Sequence, residues 1–451
     1  MTLAKKIKES IKYLLNLIFL FSSICFIASF YIVYSVYNSY SNISLEQILI
    51  HSNPFSIDSQ KALVSFLVLL EIIILISFVL SLFLKRIFIN SILFFLLFIA
   101  FIFCFPPTEK FFQSSNFIER NYKTPPSSIA LKKIKEEKTK NIILIYLEGM
   151  DSSFFSDKNI MPYISQIGKE NIAFKKYIPL YGTNGTIYSL ISLTTGLPFK
   201  SAYFLSNPDT FLKQAPSIFD ILKENNYDIS FMFCGEKFTN KKAIFSRYGA
   251  YLNKEYFFEK AQNDERYIPK EEINFFCFDD RDTFKIAKVE IEKKAKKPAP
   301  FFFWIESVET HLPGFLSSNC PVIYQDIRDS YHCTDLIIKD FIRWLQQQDF
   351  YENTLIVLMG DHLSPSKDEK GKYILNALIN SDKRPVDTDK PYTILDMGPT
   401  VLSAAGIKTE YLGLGTSLFS QQKTLVEKYD IDFIEEEIRK KSSFYKDFCH
   451  E

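Results

Sequence analysis

The sequence predicts an α/β domain built on a buried, mainly parallel β-sheet flanked by helices, preceded by transmembrane helices. Three observations predict it. Long apolar runs crowd the first quarter of the 451-residue chain. After Asn141, short apolar runs alternate with stretches of helical pattern. Acidic or imidazole side chains stand directly after several of those short runs.

The long runs are Tyr13–Tyr37, Ala62–Leu84 and Ile87–Phe105. Each has roughly the 20 residues that a helix needs to cross the hydrocarbon core. Only Glu71 brings a charge into them, read as an acid buried between helices or facing the headgroups. The first run is too long for a secretory leader, lacks a small-residue exit site, and has Ile24 before Cys25 where a lipoprotein site would differ, so a permanent anchor is expected. Lys5, Lys6 and Lys8 precede the first run, and Lys85 and Arg86 join the second to the third. Basic residues mark the cytoplasmic side, so everything after Phe105 is expected outside a bacterial inner membrane. Residues 1–106 form the predicted anchor.

Residues 107–140 read as a polar linker ("PPTEK", "TPPSS", "LKKIKEEKTK"). The catalytic domain is then expected over 141–422. Strands are predicted at "NIILIYL" (141–147), "ISFMF" (229–233), "FFFWIE" (301–306) and "TLIVLM" (354–359), with helices at Met161–Glu170, Ser217–Asn226 and Ser330–Asp349. Continuous apolar strands separated by helices argue for a sheet covered on both faces. Residues 423–451 read as a charged amphipathic helical tail, solvated or close to the membrane. Of seven cysteines, Cys25 and Cys104 fall in the spans. Cys320 and Cys333 are close enough in sequence to pair in an oxidising compartment, Cys234 and Cys277 offer a second pair, and Cys449 is left over. The 53 basic side chains balance 52 acidic ones, a net charge of +1 that gives no global field for nucleic acid.

In α/β sheets, sites gather at the carboxyl ends of strands. Here "NIILIYL" runs into Glu148, "TLIVLMG" into Asp361 and His362, and "FFFWIESVET" into His311. Two carboxylates and an imidazole are donors suited to one divalent metal, Zn²⁺ or Mn²⁺. "GTNGTIYSL" places Thr186 at the first turn of a helix, where backbone N–H groups attract phosphate. A threonine there is ordinarily only a cap. Its hydroxyl becomes a nucleophile when its proton is removed or a metal lowers its pKa. The earlier Thr183 competes for the role. His332 reads as structural, and His51 and His450 as exposed or interfacial.

These residues resemble the membrane-anchored branch of the alkaline phosphatase/sulfatase superfamily, most closely the bacterial phosphoglycerol transferases, related to lipoteichoic acid synthases and phosphoethanolamine transferases. The resemblance covers roughly residues 141–420. "YLEGMDSSFF" looks like the metal-binding glutamate motif, "GTNGTIYSLISLTTGLPF" like the nucleophile segment, and "VETHLPGFLSSNC" like the histidine motif. "GDHL" looks like the Asp-His metal pair, and "DMGPTVLSAAGI" with "YLGLGTSL" like the end of the domain. It implies an alkaline phosphatase-like fold, Thr186 as nucleophile, Glu148, Asp361 and His362 as ligands of the metal shared with Thr186, and His311 binding phosphate. "CGEKFTNKKAIFSRYG" resembles the substrate loop, which points to Glu236 and Lys242 as substrate-binding residues. "TNGTIYS" lacks the C/S-x-P-x-R context of an arylsulfatase, so sulfate ester hydrolysis is not expected.

The activity implied is transfer of phosphoglycerol from a phospholipid donor to an envelope glycan through phospho-Thr186. The alternatives are phosphoethanolamine transfer to lipid A or another glycan, a phosphodiesterase of the same superfamily, and a catalytically inactive scaffold. The membrane, the donor and the glycan are the expected partners; nucleic acid is not.

Overall fold

The computed structural model describes residues 110–123, 139–206, 210–233, 241–267, 278–364 and 372–448. All of them belong to one compact unit, Glu109–Ser364 with Asp368–Glu451. The three apolar runs, Glu71, His51, Cys234, Glu236, Cys277, Cys449 and His450 lie outside the described residues. No helix among the described residues is long and apolar enough to cross a membrane.

The strands are β1 (Lys110–Ser114), β2 (Asn141–Leu147), β3 (Asp228–Met232), β4 (Ala250–Tyr251), β5 (Phe301–Glu306), β6 (Thr354–Gly360), β7 (Asn376–Ile379), β8 (Tyr411–Leu412), β9 (Gly415–Thr416) and β10 (Lys440–Lys441). Six form one sheet in the order β4-β3-β5-β2-β6-β7. All its neighbours are parallel except β6 and β7. Every residue of β2, β5 and β6 is buried, as the unbroken apolar runs require of strands covered on both faces.

Alternation along the strands sends successive side chains to opposite faces. Ile143, Ile145 and Leu147 of β2, with Phe303 and Ile305 of β5, join a core completed by α1 (Pro162–Glu170), α2 (Asp280–Ala295) and α3 (Arg328–Leu345). On the other face Phe302 meets Phe219 of the helix Ile218–Glu224 at 5.9 Å, and Trp304 meets Tyr146 at 5.3 Å. That helix starts at Ser217 with a capping box to Asp220. Cys320 and Cys333 form a disulfide with a Cα–Cα distance of 5.5 Å, pinning the loop after β5 to α3.

The two segments read as linker and tail depart from expectation. Within the linker, "KFFQS" forms β1, and Phe117 and Ile118 of the short helix Phe117–Asn121 are buried. The C-terminal stretch is docked rather than solvated. Its helix Ile431–Arg439 buries Ile434 and Ile438, Tyr445 is fully buried, and β10 pairs in parallel with β1. Average polarity concealed a sparse set of apolar side chains at helical spacing that close over one another.

Candidate active site

Sheet register builds the centre. β2 and β6 are neighbours with Leu147 opposite Gly360, so the next residue on each strand, Glu148 and Asp361, emerges at the same level. The junction is tightened by Asp361 N–H donating to Leu147 O at 3.1 Å and Gly149 N–H donating to Asp361 Oδ1 at 2.7 Å. Gly360 is required here, because a Cβ would sit 2.3 Å from Met150 O. His362 follows, with Nδ1 at 2.8 Å from Leu363 O. A carbonyl only accepts, so Nδ1 carries the proton and Nε2 is turned toward the two carboxylates, 3.2 Å from Glu148 Oε1 and 3.2 Å from Asp361 Oδ2.

Thr186 opens the helix Thr186–Thr195, whose later side chains are all buried. Its N-cap is Gly185, at φ 138°, a backbone conformation that favours glycine, and no side chain caps the helix. Thr186 is therefore not the cap. Its Oγ1 donates to Glu148 Oε2 at 3.1 Å and lies 3.4 Å from His362 Nε2. Thr183 is spent elsewhere: fully buried, its hydroxyl donates to Leu180 O at 2.7 Å and accepts from Leu180 N–H at 3.0 Å.

Ligand atoms of Glu148, Asp361 and His362 all lie within 4.8 Å of one another, and Asp361 Oδ2 has no hydrogen-bond partner among the described residues. Once Nε2 has given up its proton, the two carboxylates and the imidazole lone pair form a cluster of acceptors. Such a cluster fits a divalent cation. Electrostatics agree. Burial opposes charge on Glu148, yet His362, with a smaller contribution from His311, holds its carboxyl well below the usual range. Burial and the Glu148 charge push Asp361 up to about 8. Burial disfavours an imidazolium, but Asp361 and Glu148 overcome it and push His362 up to about 10. The site attracts positive charge even where burial resists it.

His311 is exposed on the loop after β5, with Nδ1 2.9 Å from Leu312 O, and its charge reaches Glu148. The structure does not turn Lys242 inward; it is exposed on the helix Lys241–Phe245. One residue earlier on the helix, a rotation of about 100°, Lys241 is buried and reaches both Glu306 oxygens at 2.6 Å. His332 sits on α3 with Nδ1 2.7 Å from Ile160 O, the structural role expected.

Several supporting groups escape sequence reading. Thr310 donates to Glu148 O at 2.6 Å, and Ser307 Oγ accepts from Glu148 N–H at 3.3 Å. Asn184 Oδ1 accepts from Leu363 N–H at 3.2 Å, tying the turn before Thr186 to the Asp361–His362 turn. Asp151 Oδ2 accepts from Ser364 N–H at 2.8 Å. Ser307 and Thr310 flank Glu309 in "ESVETH", and that polar run after a buried strand was the available signal.

The chain is 24% identical over 325 residues to a lipoteichoic acid synthase of Staphylococcus saprophyticus, covering 63% of this chain and 48% of that one. It is 25% identical over 327 residues to phosphoglycerol transferase I of Escherichia coli, covering 67% of this chain and 41% of that one. The match thus spans less than half the length of these curated relatives. A crystal structure of an alkaline phosphatase superfamily protein from Vibrio parahaemolyticus has the same fold, with a TM-score of 0.53 at 18% identity over 66% of this chain and 73% of that one. The Sulfatase family model matches residues 140–407, more than half of the chain and all the site residues described above, and the chain belongs to the Sulfatase family.

Proposed function

We propose that this protein is a metal-dependent phosphotransferase that moves phosphoglycerol from a phospholipid donor to an envelope glycan through a covalent phospho-Thr186. The observation that carries the reading is the Thr186 hydroxyl at the start of a buried helix, 3.1 Å from Glu148 and 3.4 Å from His362. Glu148, Asp361 and His362 would hold one divalent ion, Zn²⁺ or Mn²⁺. When bound, the ion supplies positive charge that favours the threonine alkoxide and offsets charge on the phosphoryl group.

The chain's own groups do the rest. Glu148 Oε2, which already accepts from the Thr186 hydroxyl, is the acceptor within reach of its proton. As the Oγ1–P bond forms, the bond from phosphorus to the diacylglycerol oxygen breaks, and His311 protonates that oxygen. The glycan hydroxyl then attacks phosphorus and gives its proton to His311, left neutral by the first step, while the P–Oγ1 bond breaks and Oγ1 takes back the proton held by Glu148. The unpaired backbone N–H groups of the first helical turn would bind the phosphoryl oxygens. For the substrate loop we favour Lys241 over Lys242, because Lys241 alone is buried; Glu236 keeps the role implied by the family resemblance. A lipid donor stays in the bilayer, which gives the predicted anchor in the inner membrane its purpose.

The test is mass spectrometry of the Thr186 peptide after incubation with phosphatidylglycerol. A phosphoglycerol adduct is expected. An adduct formed only from phosphatidylethanolamine would replace the donor assignment, and no adduct with an active enzyme would end the covalent mechanism.

A further inference from the structure

The segment that carries Thr186 is a closed unit whose two ends are held by chain from beyond the family match. Phe199 N–H donates to Gly182 O at 2.7 Å, so the segment leaves beside its point of entry. At the entry, Tyr181 N–H donates to Glu435 Oε1 at 2.6 Å. At the exit, Lys200 is 1% exposed and donates to the backbone oxygens of Ile438 and Lys440, the latter at 3.0 Å. Those carbonyls lie at the carboxyl end of the helix Ile431–Arg439, where the helix dipole favours a cation. The buried Tyr445 hydroxyl donates to Pro198 O. The family match stops at residue 407, so Glu435, Ile438, Lys440 and Tyr445 all lie beyond it.

We infer that residues 431–445 act as a strap that positions the nucleophile, with Lys200 and Tyr445 as its positioning residues. The inference rests on Thr186 being the nucleophile. Thr186 reaches Glu148 and His362 through single contacts of 3.1 and 3.4 Å. A shift of about 1 Å in such a group can slow a reaction by about a hundredfold. Its helix is buried on every side after Thr186, so restraint at Tyr181 and Pro198–Lys200 bears on where Oγ1 stands. Neither positioning residue touches the reacting atoms.

The experiment uses the full chain with Mn²⁺ and phosphatidylglycerol, and measures the single-turnover rate constant of Thr186 adduct formation at saturating donor. Lys200→Met removes the charge at similar length, and Tyr445→Phe removes one hydroxyl from an otherwise unchanged ring. We expect each to lower the rate constant at least tenfold, with Mn²⁺ affinity and the donor concentration for half-saturation unchanged. A purely structural role would lower only the fraction of chains that label, leaving the rate constant of the labelled fraction as in the wild type, and that result would overturn the inference. If Lys200→Met does not fold, Tyr445→Phe decides by the same criterion. A wild-type chain that turns over without labelling Thr186 would sink the nucleophile reading itself, a result separable from failure of the strap alone.

Discussion

At the scale of single residues, two threonines in one short motif have different fates. Thr186 meets Glu148 and His362, whereas Thr183 closes a turn on Leu180. We expect Thr186→Ala to abolish adduct formation while melting close to wild type, since the hydroxyl caps nothing. Thr183→Ala should do the reverse, costing about 1–3 kcal/mol through the stranded Leu180 amide while leaving the rate constant within a few-fold. Thermal melts and adduct kinetics on both variants check this, and near-normal labelling in Thr186→Ala would refute the placement. The charges set a second expectation. With His362 at about 10 and Asp361 at about 8, the metal-free site holds protons below those values. A divalent ion must displace them, so its affinity rises as pH rises. Mn²⁺ titrations at pH 6.5 and 8.5 should differ by about tenfold or more, tighter at the higher pH. Equal affinity at the two values would mean the three side chains are not the ligands.

At the scale of elements, the centre is a consequence of strand register. Glu148 and Asp361 are far apart in sequence and meet because Leu147 pairs with Gly360. The apolar runs announced both strands, and the residues that follow them announced the candidate ligands. Their adjacency in the sheet could not be read, since any two parallel strands might have been neighbours. Gly360→Ala tests the junction. Its Cβ would meet Met150 O at 2.3 Å, and backbone does not yield as a flexible side chain does. We expect a loss of about 1–3 kcal/mol, the usual range for overpacking, together with weaker Mn²⁺ binding as Asp361 is pushed off level. A folded variant with unchanged metal affinity would show that the junction tolerates displacement. Helix phase separates the two lysines: composition marked a basic pair, but only the helix Lys241–Phe245 turned Lys241 inward and left Lys242 outside.

At the scale of the whole molecule, the uneven distribution of apolar residues carries the prediction of an anchored protein with its site outside. We expect the full chain to stay with membranes through an alkaline carbonate wash, and the catalytic domain to be digested by protease added to spheroplasts. Release into the wash would remove the anchor from this account. The sequence by itself determined the central strands β2, β3, β5 and β6, the order of the motifs and the acid, imidazole and hydroxyl groups at their ends, because burial on both faces and chemistry at strand termini leave local marks. It also placed Cys320 and Cys333 close enough to pair, as they do. Tertiary structure alone decided which lysine is buried, and that the C-terminal stretch folds back onto β1 and the Thr186 segment. Those outcomes depend on contacts between residues distant in the chain, such as Lys200 with Ile438 and Glu148 with Asp361, and local pattern carries no information about which distant surface a side chain will meet.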